Sequence, residues 1–366
     1  MVFRMVDRWP VFGMRNTTNV VFGLRPKHRN FAPRKLSKEN YLITGKKVKR
    51  MKIKYLIIGL LSTLALASCN SNDDLGTAEI EIPGITINGD VDCCTAEEAL
   101  QVYKFLQTLH IVPELSLTVG GKYNVFAYTA TGKFHTGYNE VYFVATKKSS
   151  GNYVKDFNIT AITPLMTMTK MNMKHSTPVG ASVEGFSDGL PALKRGWVSF
   201  LMNSGDAGSW TLAYDASVLG TDGSTDATEI NVEPLPDGQK WLQSFKVGDE
   251  SYILSLVKPT EWKTGSNPIR AYVSKKSNPI TTPYALATEQ FTIDIDPRMP
   301  DMGHHGSPDN APLRRQADGS YAGTVNLTMT GLWRIHLTVR DTQGNVVAGG
   351  DNLSDGFSSL YWDVTI

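Results

Sequence analysis

From residue 116 onward apolar and polar positions alternate in short runs, and clusters of Gly, Asn, Asp and Pro separate the runs. A period of two with such punctuation predicts half-buried strands. The clearest runs are 123–128, 140–145, 197–202, 210–214, 252–257, 321–329, 333–339 and 360–366. The stretch before them, 93–115, has a different period. Thr95 suits an N-cap, Glu97 and Glu98 put acids in a first turn, and Ala99, Val102, Phe105, Leu106 and Leu109 recur at helical spacing. A short helix is expected there, closing at His110 and before Pro113.

The strand pattern occurs twice. Tyr123-Asn-Val-Phe-Ala-Tyr128 leads to Lys133-Phe-His-Thr-Gly137-Tyr-Asn139 and then to Val141-Tyr-Phe-Val144. Tyr252-Ile-Leu-Ser-Leu256 leads to Glu261-Trp-Lys-Thr-Gly265-Ser-Asn267 and then to Arg270-Ala-Tyr-Val273. Later, Phe200-Leu-Met202 with Gly208-Ser-Trp210 matches Leu327-Thr-Met329 with Gly331-Leu-Trp333. Each half has about seven strands in roughly 110 to 125 residues, the size of an immunoglobulin-like sandwich. The expected fold is all-β: two tandem immunoglobulin-like β-sandwich domains, 116–236 and 240–366, with a hinge near Pro236, preceded by a signal segment and one short helix.

The N-terminal part has neither period. Residues 51–68 read as a lipoprotein signal peptide: Lys52 and Lys54 are basic, the apolar run from Tyr55 to Ala67 is too short to span a bilayer, and Leu66-Ala67-Ser68-Cys69 resembles a lipobox. The small residues before Cys69 favour this over a short buried helix that happens to end in Cys. Cys69 is then the lipidated first residue, and the chain meets the membrane through that anchor. Asn70-Ser71-Asn72-Asp73-Asp74 opens an acidic tether, 69–92, resembling the surface-export signals of Bacteroidetes lipoproteins. The location implied is the outer membrane, on its periplasmic or cell-surface side. Residues 1–50, with 13 Lys/Arg against 2 Asp/Glu, are expected to be a mis-called extension that does not pack on the rest, Met51 being the true initiator.

Removing the leader changes the charge. The whole chain is formally +2, but the part after residue 68 carries 22 Lys/Arg against 33 Asp/Glu, a net −11. That balance repels phosphate backbones, so nucleic acid is not an expected partner. Besides Cys69 the only cysteines are the adjacent Cys93 and Cys94. A strained vicinal disulfide, two free thiols and a share in a soft-metal site all stay open, whereas a zinc finger lacks its second Cys pair.

Two stretches concentrate chemistry. Pro164 to Pro178 holds Met166, Met168, Met171, Met173 and His175; Pro297 to Pro308 holds Met299, Met302, His304 and His305. They contain six of the eight methionines and three of the six histidines after Cys69. Thioether sulfur is neutral and polarizable, so it suits Cu(I) or Ag(I) and not Zn, Mg or Ca, and it needs no deprotonation. Met166 with Met168, and Met171 with Met173, share a side if extended. Single methionines are usually adaptable core filler, and Met202 and Met329, each ending an apolar strand near a tryptophan, are assigned to that role. The two clusters instead alternate with Thr, Asn, Lys, Asp and Gly, as expected of Pro-bounded loops.

The stretch Met299-Pro-Asp-Met302-Gly-His304-His305-Gly-Ser307, followed by the run from Tyr321 to Gly331-Leu-Trp333-Arg-Ile, resembles YtkA-like or FixH-like domains. That resemblance covers about residues 295–339; the first repeat matches more loosely, lacking Met-Pro. It implies small extracytoplasmic β-sandwich modules linked to copper handling, with Cu(I) as the ion and copper-handling envelope proteins as partners.

Other motifs lead nowhere. Gly185-Phe-Ser187-Asp-Gly189 fits G-x-S-x-G but lacks the strand, helix and α/β sheet that a nucleophile elbow needs. Asp222-Gly-Ser-Thr-Asp226 and the acidic turn 351–355 lack a calcium loop's closing Glu and read as solvated turns. His336 reads as structural, on a strand face. No carboxylate pair stands out as acid and base, so an enzyme is not expected. The rival to copper binding is a surface adhesion or glycan/protein-binding module with Trp241, Trp262 and Tyr284 stacking from exposed turns.

Overall fold

Alternation becomes pairing in two successive sandwiches of the same design. The computed structural model describes residues 80–82, 85–87, 96–180, 184–185, 190, 192–236, 239–259, 261–350 and 356–366. All belong to one compact unit, Asn72–Ile366. The expected extension, signal segment, Cys69, Cys93, Cys94, Ser187 and the turn 351–355 lie outside the described residues.

In the first sandwich, β1 (Tyr123–Thr129), β2 (Gly137–Lys147) and β5 (Leu193–Phe200) form one sheet in the order β5-β2-β1. Facing it, β3 (Phe157–Met168) lies between β4 (Met173–His175) and β6 (Gly208–Val218). Val125, Val141, Phe143, Phe157, Ile159, Trp210 and Tyr214 fill the space between them. The second sandwich repeats the plan with β7 (Glu250–Lys258), β8 (Gly265–Lys275), β9 (Thr292–Met299), β10 (His305–Gly306), β11 (Tyr321–Leu327) and β12 (Leu332–Arg340). Here the strand Ala311–Arg315 pairs with β9 on one side and β11 on the other, so the two layers are laced together at one edge. Its core holds Leu254, Ile269, Val273, Ile293, Trp333, Ile335 and Trp362. The fold is all-β and immunoglobulin-like, as the alternation requires.

Two expectations need correction. The Met/His stretches are not loops throughout: Pro164 to Met168 is the end of β3 and Pro297 to Met299 the end of β9. Both prolines sit where one side of the strand has no ladder partner, since β4 pairs only with 166–168 and β10 only with 298–299. A missing N–H is tolerated there. The helix α1 (Ala96–Leu106) is shorter than expected. Its end tightens through Thr108 N–H to Phe105 O and Leu109 N–H to Leu106 O, and His110 starts a two-residue strand, His110–Ile111, on β1. Its apolar stripe of Ala99, Val102 and Leu106 covers Tyr142, Val144, Tyr153 and Leu193 on the outer face of the first sheet.

The Thr-Gly-x-Asn repeat is a buried staple. Asn139 accepts the His135 N–H (2.9 Å) and donates to the carbonyls of His135 (2.7 Å) and Gly137 (2.8 Å). Asn267 accepts the Lys263 N–H (3.0 Å) and donates to those of Lys263 (2.7 Å) and Gly265 (2.9 Å). Gly137 and Gly265 precede them at φ 91° and 90°, which a side chain would strain.

A seam replaces the expected hinge near Pro236. Trp197 of β5 stacks on Tyr272 of β8 with centroids 4.7 Å apart and planes within 8°, and the buried Ser199 and Ser255 hydroxyls meet at 2.8 Å. Ser176 donates its N–H to Ile280 O (2.7 Å), while Tyr284 exchanges backbone hydrogen bonds with Thr177 and Val179. Tyr284, expected on an exposed turn, is fully buried in this seam. Packing and paired backbone on this scale hold the sandwiches in one arrangement.

Candidate metal centre

Each sandwich gathers methionine, histidine and tryptophan at the end of its β3 or β9 hairpin. In the first, Met173 lies opposite Met168 and His175 opposite Met166 across the β3-β4 ladder, while Trp210 flanks Met166 across the β3-β6 ladder. Directly opposed residues share a sheet face, so Met166, Met168, Met173 and His175 all project to the same side. They are not equally open to a ligand. Met166 is sealed in the core, Met168 is half-buried and packs on that core, and Met173 and Met171 are exposed. Met171 stands out most, at 60 % exposure in the hairpin turn. The His175 ring meets Trp210 edge to face at 5.5 Å, and its Nδ1 donates to Ser176 O (2.8 Å). That bond fixes the tautomer and leaves the Nε2 lone pair as the donor.

The second sandwich reproduces the arrangement with fewer sulfurs on the strands. His305 lies opposite Met299, and the β9-β12 ladder ends at Arg298 and Arg334, one residue short of Met299 and Trp333. The His305 ring is 6.4 Å from that of Trp333. Met299 is buried in the core; Met302 lies at 51 % exposure in the 3-10 turn Pro300–Met302. His304, at φ 58°, donates its N–H to Met299 O (3.1 Å). Its ring packs on Phe357 at 5.1 Å, and Phe357 in turn stacks on His336 at the same distance. The structure therefore brings Met299 and His305 together and turns His304 toward a different aromatic group.

Tryptophan and glycine complete each site, and the sequence reading left both out of the chemistry. Trp210 Nε1 donates to Met202 O (2.8 Å), and Trp333 Nε1 to Met329 O (2.9 Å). A Cβ on Gly331 would lie 2.9 Å from the Met299 Cε, so that glycine makes room for a thioether methyl; one on Gly208 would meet the Thr167 carbonyl oxygen at 2.2 Å, with the Met166 Cε next to it at 3.0 Å, so there close backbone pairing demands the glycine first. Met202 is half-buried and packs on the first core, as assigned from the sequence, whereas Met329, given the same role there, is 36 % exposed. Gly-x-Trp recurs in both repeats, but the methionine stands six residues before Gly208 and only two before Gly331, so no common methionine spacing marks the site in the sequence.

A Met-Pro-x-Met-x-His turn runs from β9, and a Gly-x-Trp strand follows it. Residues 246–338 match the family model of YtkA-like domains. The YtkA-like region runs from the strand Leu242–Val247 into β12 and includes Met299, Met302, His304, His305, Met329 and Trp333. The first sandwich lies outside it. No curated protein sequence matches the chain. Among the described residues, no three His, Cys, Asp or Glu side chains are gathered as a metal group, so a centre here depends on thioether sulfur. Such a donor set fits a soft monovalent ion and not a hard divalent one.

Proposed function

We propose that this chain is a cell-envelope lipoprotein that binds Cu(I) at the Met/His ends of its two sandwiches, for copper buffering, resistance or delivery. The observation that carries the reading is the shared sheet face of Met166, Met168, Met173 and His175, with Met299 opposite His305 as its counterpart. Three thioethers and an imidazole in the first set, and Met299, Met302 and His305 in the second, would hold the ion. When bound, Cu(I) supplies no acid–base chemistry, and binding rather than catalysis is the role. The YtkA-like match, copper-associated as a family, supports the ion's identity for the second sandwich. The lipobox-like Leu66-Ala67-Ser68-Cys69 supports membrane anchoring in the outer membrane, where copper-handling envelope proteins would be the partners.

The two sets belong to different cores, Met166 and Met168 to the first and Met299 to the second, which supports two sites and not one shared site. An adhesion role loses support from its three aromatic residues, since Tyr284 is buried and Trp241 and Trp262 are half-buried against the second core. The test is titration with Cu(I) under a competing chelator. The protein should take up two ions, and changing Met299, Met302, His304 and His305 to Ala should abolish one. A protein that retains no Cu(I) would refute the reading, and full uptake by the variant would remove the second sandwich from it.

A further inference from the structure

We infer that Met329, and Met202, whose carbonyl accepts the corresponding tryptophan N–H in the first sandwich, are metal ligands, Met329 as an exposed outer sulfur and Met202 as a half-buried one. The inference rests on the Cu(I) reading above and adds a donor to each set. In both sandwiches the turn that carries this methionine is fixed against the site from two sides. Its carbonyl accepts the indole N–H of the tryptophan that the site histidine also touches, at 2.8 Å for Met202 and 2.9 Å for Met329. The glycine closing the turn lies against the buried thioether, Gly208 on Met166 and Gly331 on Met299. In the first sandwich the turn is further tied to the hairpin by Thr169 N–H to Ala207 O (3.1 Å) and Thr169 Oγ1 to Asp206 O (3.1 Å). Inner methionine, histidine, tryptophan and turn methionine thus adjoin one another twice in one chain.

Exposure points the same way. Among the described residues seven large apolar side chains are exposed, and four are methionines: Met171, Met173, Met302 and Met329. Only eight methionines follow Cys69. Burying such a side chain stabilises a fold, so leaving half of them out forgoes stability at one end of each sandwich. The other three, Ile111, Leu219 and Val346, lie elsewhere in the chain and carry no donor atom. A soft ion arriving from solution needs sulfur that it can reach, and Met166 and Met299 are buried at 0 % and 4 % exposure. The outer sulfurs are placed to take the ion first.

Two measurements test this on the whole protein. In the first, methionine oxidation by peroxide is mapped residue by residue with and without Ag(I), a soft ion of the same charge that thioethers also bind. Sulfur donating to a metal resists sulfoxide formation. Ag(I) should protect Met329, Met202 and Met302 several-fold. In the second, Met329→Leu, which keeps volume and removes sulfur, should weaken Cu(I) binding at one site about tenfold or more and lower the count of sulfurs around copper by X-ray absorption. Its unfolding midpoint should not move, which separates ligation from packing. If Met302 is protected while Met329 and Met202 oxidise as freely as before, and Met329→Leu binds like the parent, the inference falls and the Cu(I) reading stands. If the parent retains neither ion and nothing is protected, both fall.

Discussion

Removing the side-chain amide of Asn267 should destabilise the second sandwich by about 3 kcal/mol. Asn267 is 1 % exposed and makes three hydrogen bonds, one accepted from Lys263 N–H and two donated, to the carbonyls of Lys263 and Gly265. At roughly 1 kcal/mol net for each, Asn267→Ala loses about 3 kcal/mol, and water reaching the Lys263 side keeps the loss below the full penalty for three orphaned groups. For a unit of this size that lowers the thermal midpoint by roughly 6–12 °C. Asn267→Asp is the sharper variant. It keeps the acceptor for Lys263 N–H but aims a carboxylate at two carbonyls, so it should be at least as damaging as Ala although it is isosteric. Urea unfolding followed by tryptophan fluorescence gives both values. A loss below about 1 kcal/mol in the Ala variant, or an Asp variant as stable as the parent, would refute the staple as the element that sets the β7-β8 turn. Asn139, with the same three bonds, should respond in kind.

Two further outcomes follow from the packing and the charges. Gly331→Ala puts a Cβ 2.9 Å from the Met299 Cε at φ 125° and should cost about 1–3 kcal/mol; combined with Met299→Ala the losses should fall short of additive, and strict additivity would deny the contact. Burial disfavours the Glu289 carboxylate, but hydrogen bonds from Lys275 (2.9 Å) and Tyr252 (3.0 Å) outweigh it and hold its pKa down to about 2. Because the folded value is the lower one, this stabilisation is full above the ordinary carboxylate value of 4.5 and is lost as pH falls toward 2. Glu289→Gln should flatten stability over that window, and an unchanged acid profile would show that the pair contributes nothing.

Most strands were legible because their inward residues alternate without interruption, as in β1, β6 and β12. β3 and β9 were not: in β3 a bulge between Ile159 and Ala161 moves the inward phase from Phe157 and Ile159 to Ile162, Pro164 and Met166. Proline and a run of polar neighbours, Thr167 to Asn172 and Asp296 to Asp301, disguise a strand whose far edge is unpaired. At the candidate site, residue type was legible and depth was not. Nothing in Met166 or Met299 tells them from Met171 or Met302, because the difference comes from which strand carries them and how far the hairpin extends. The seam was invisible for a related reason: Ser176, Thr177 and Tyr284 are buried by a partner sandwich more than a hundred residues away, which leaves no local period.

The helix α1 has a meaning that emerges only when the two sandwiches are superposed in thought. Val144 and Tyr272 hold matching places, five residues beyond Asn139 and Asn267 on the outer faces of β2 and β8. On the second sandwich that face receives the first sandwich, through Trp197 and Tyr138. On the first, the corresponding ground is taken by α1. The helix thus closes on the first sandwich the socket that the first sandwich fills on the second, as capping repeats do in solenoids. A chain deprived of α1 would expose Tyr142, Val144, Tyr153 and Leu193 to its neighbours, and self-association is the failure to watch for.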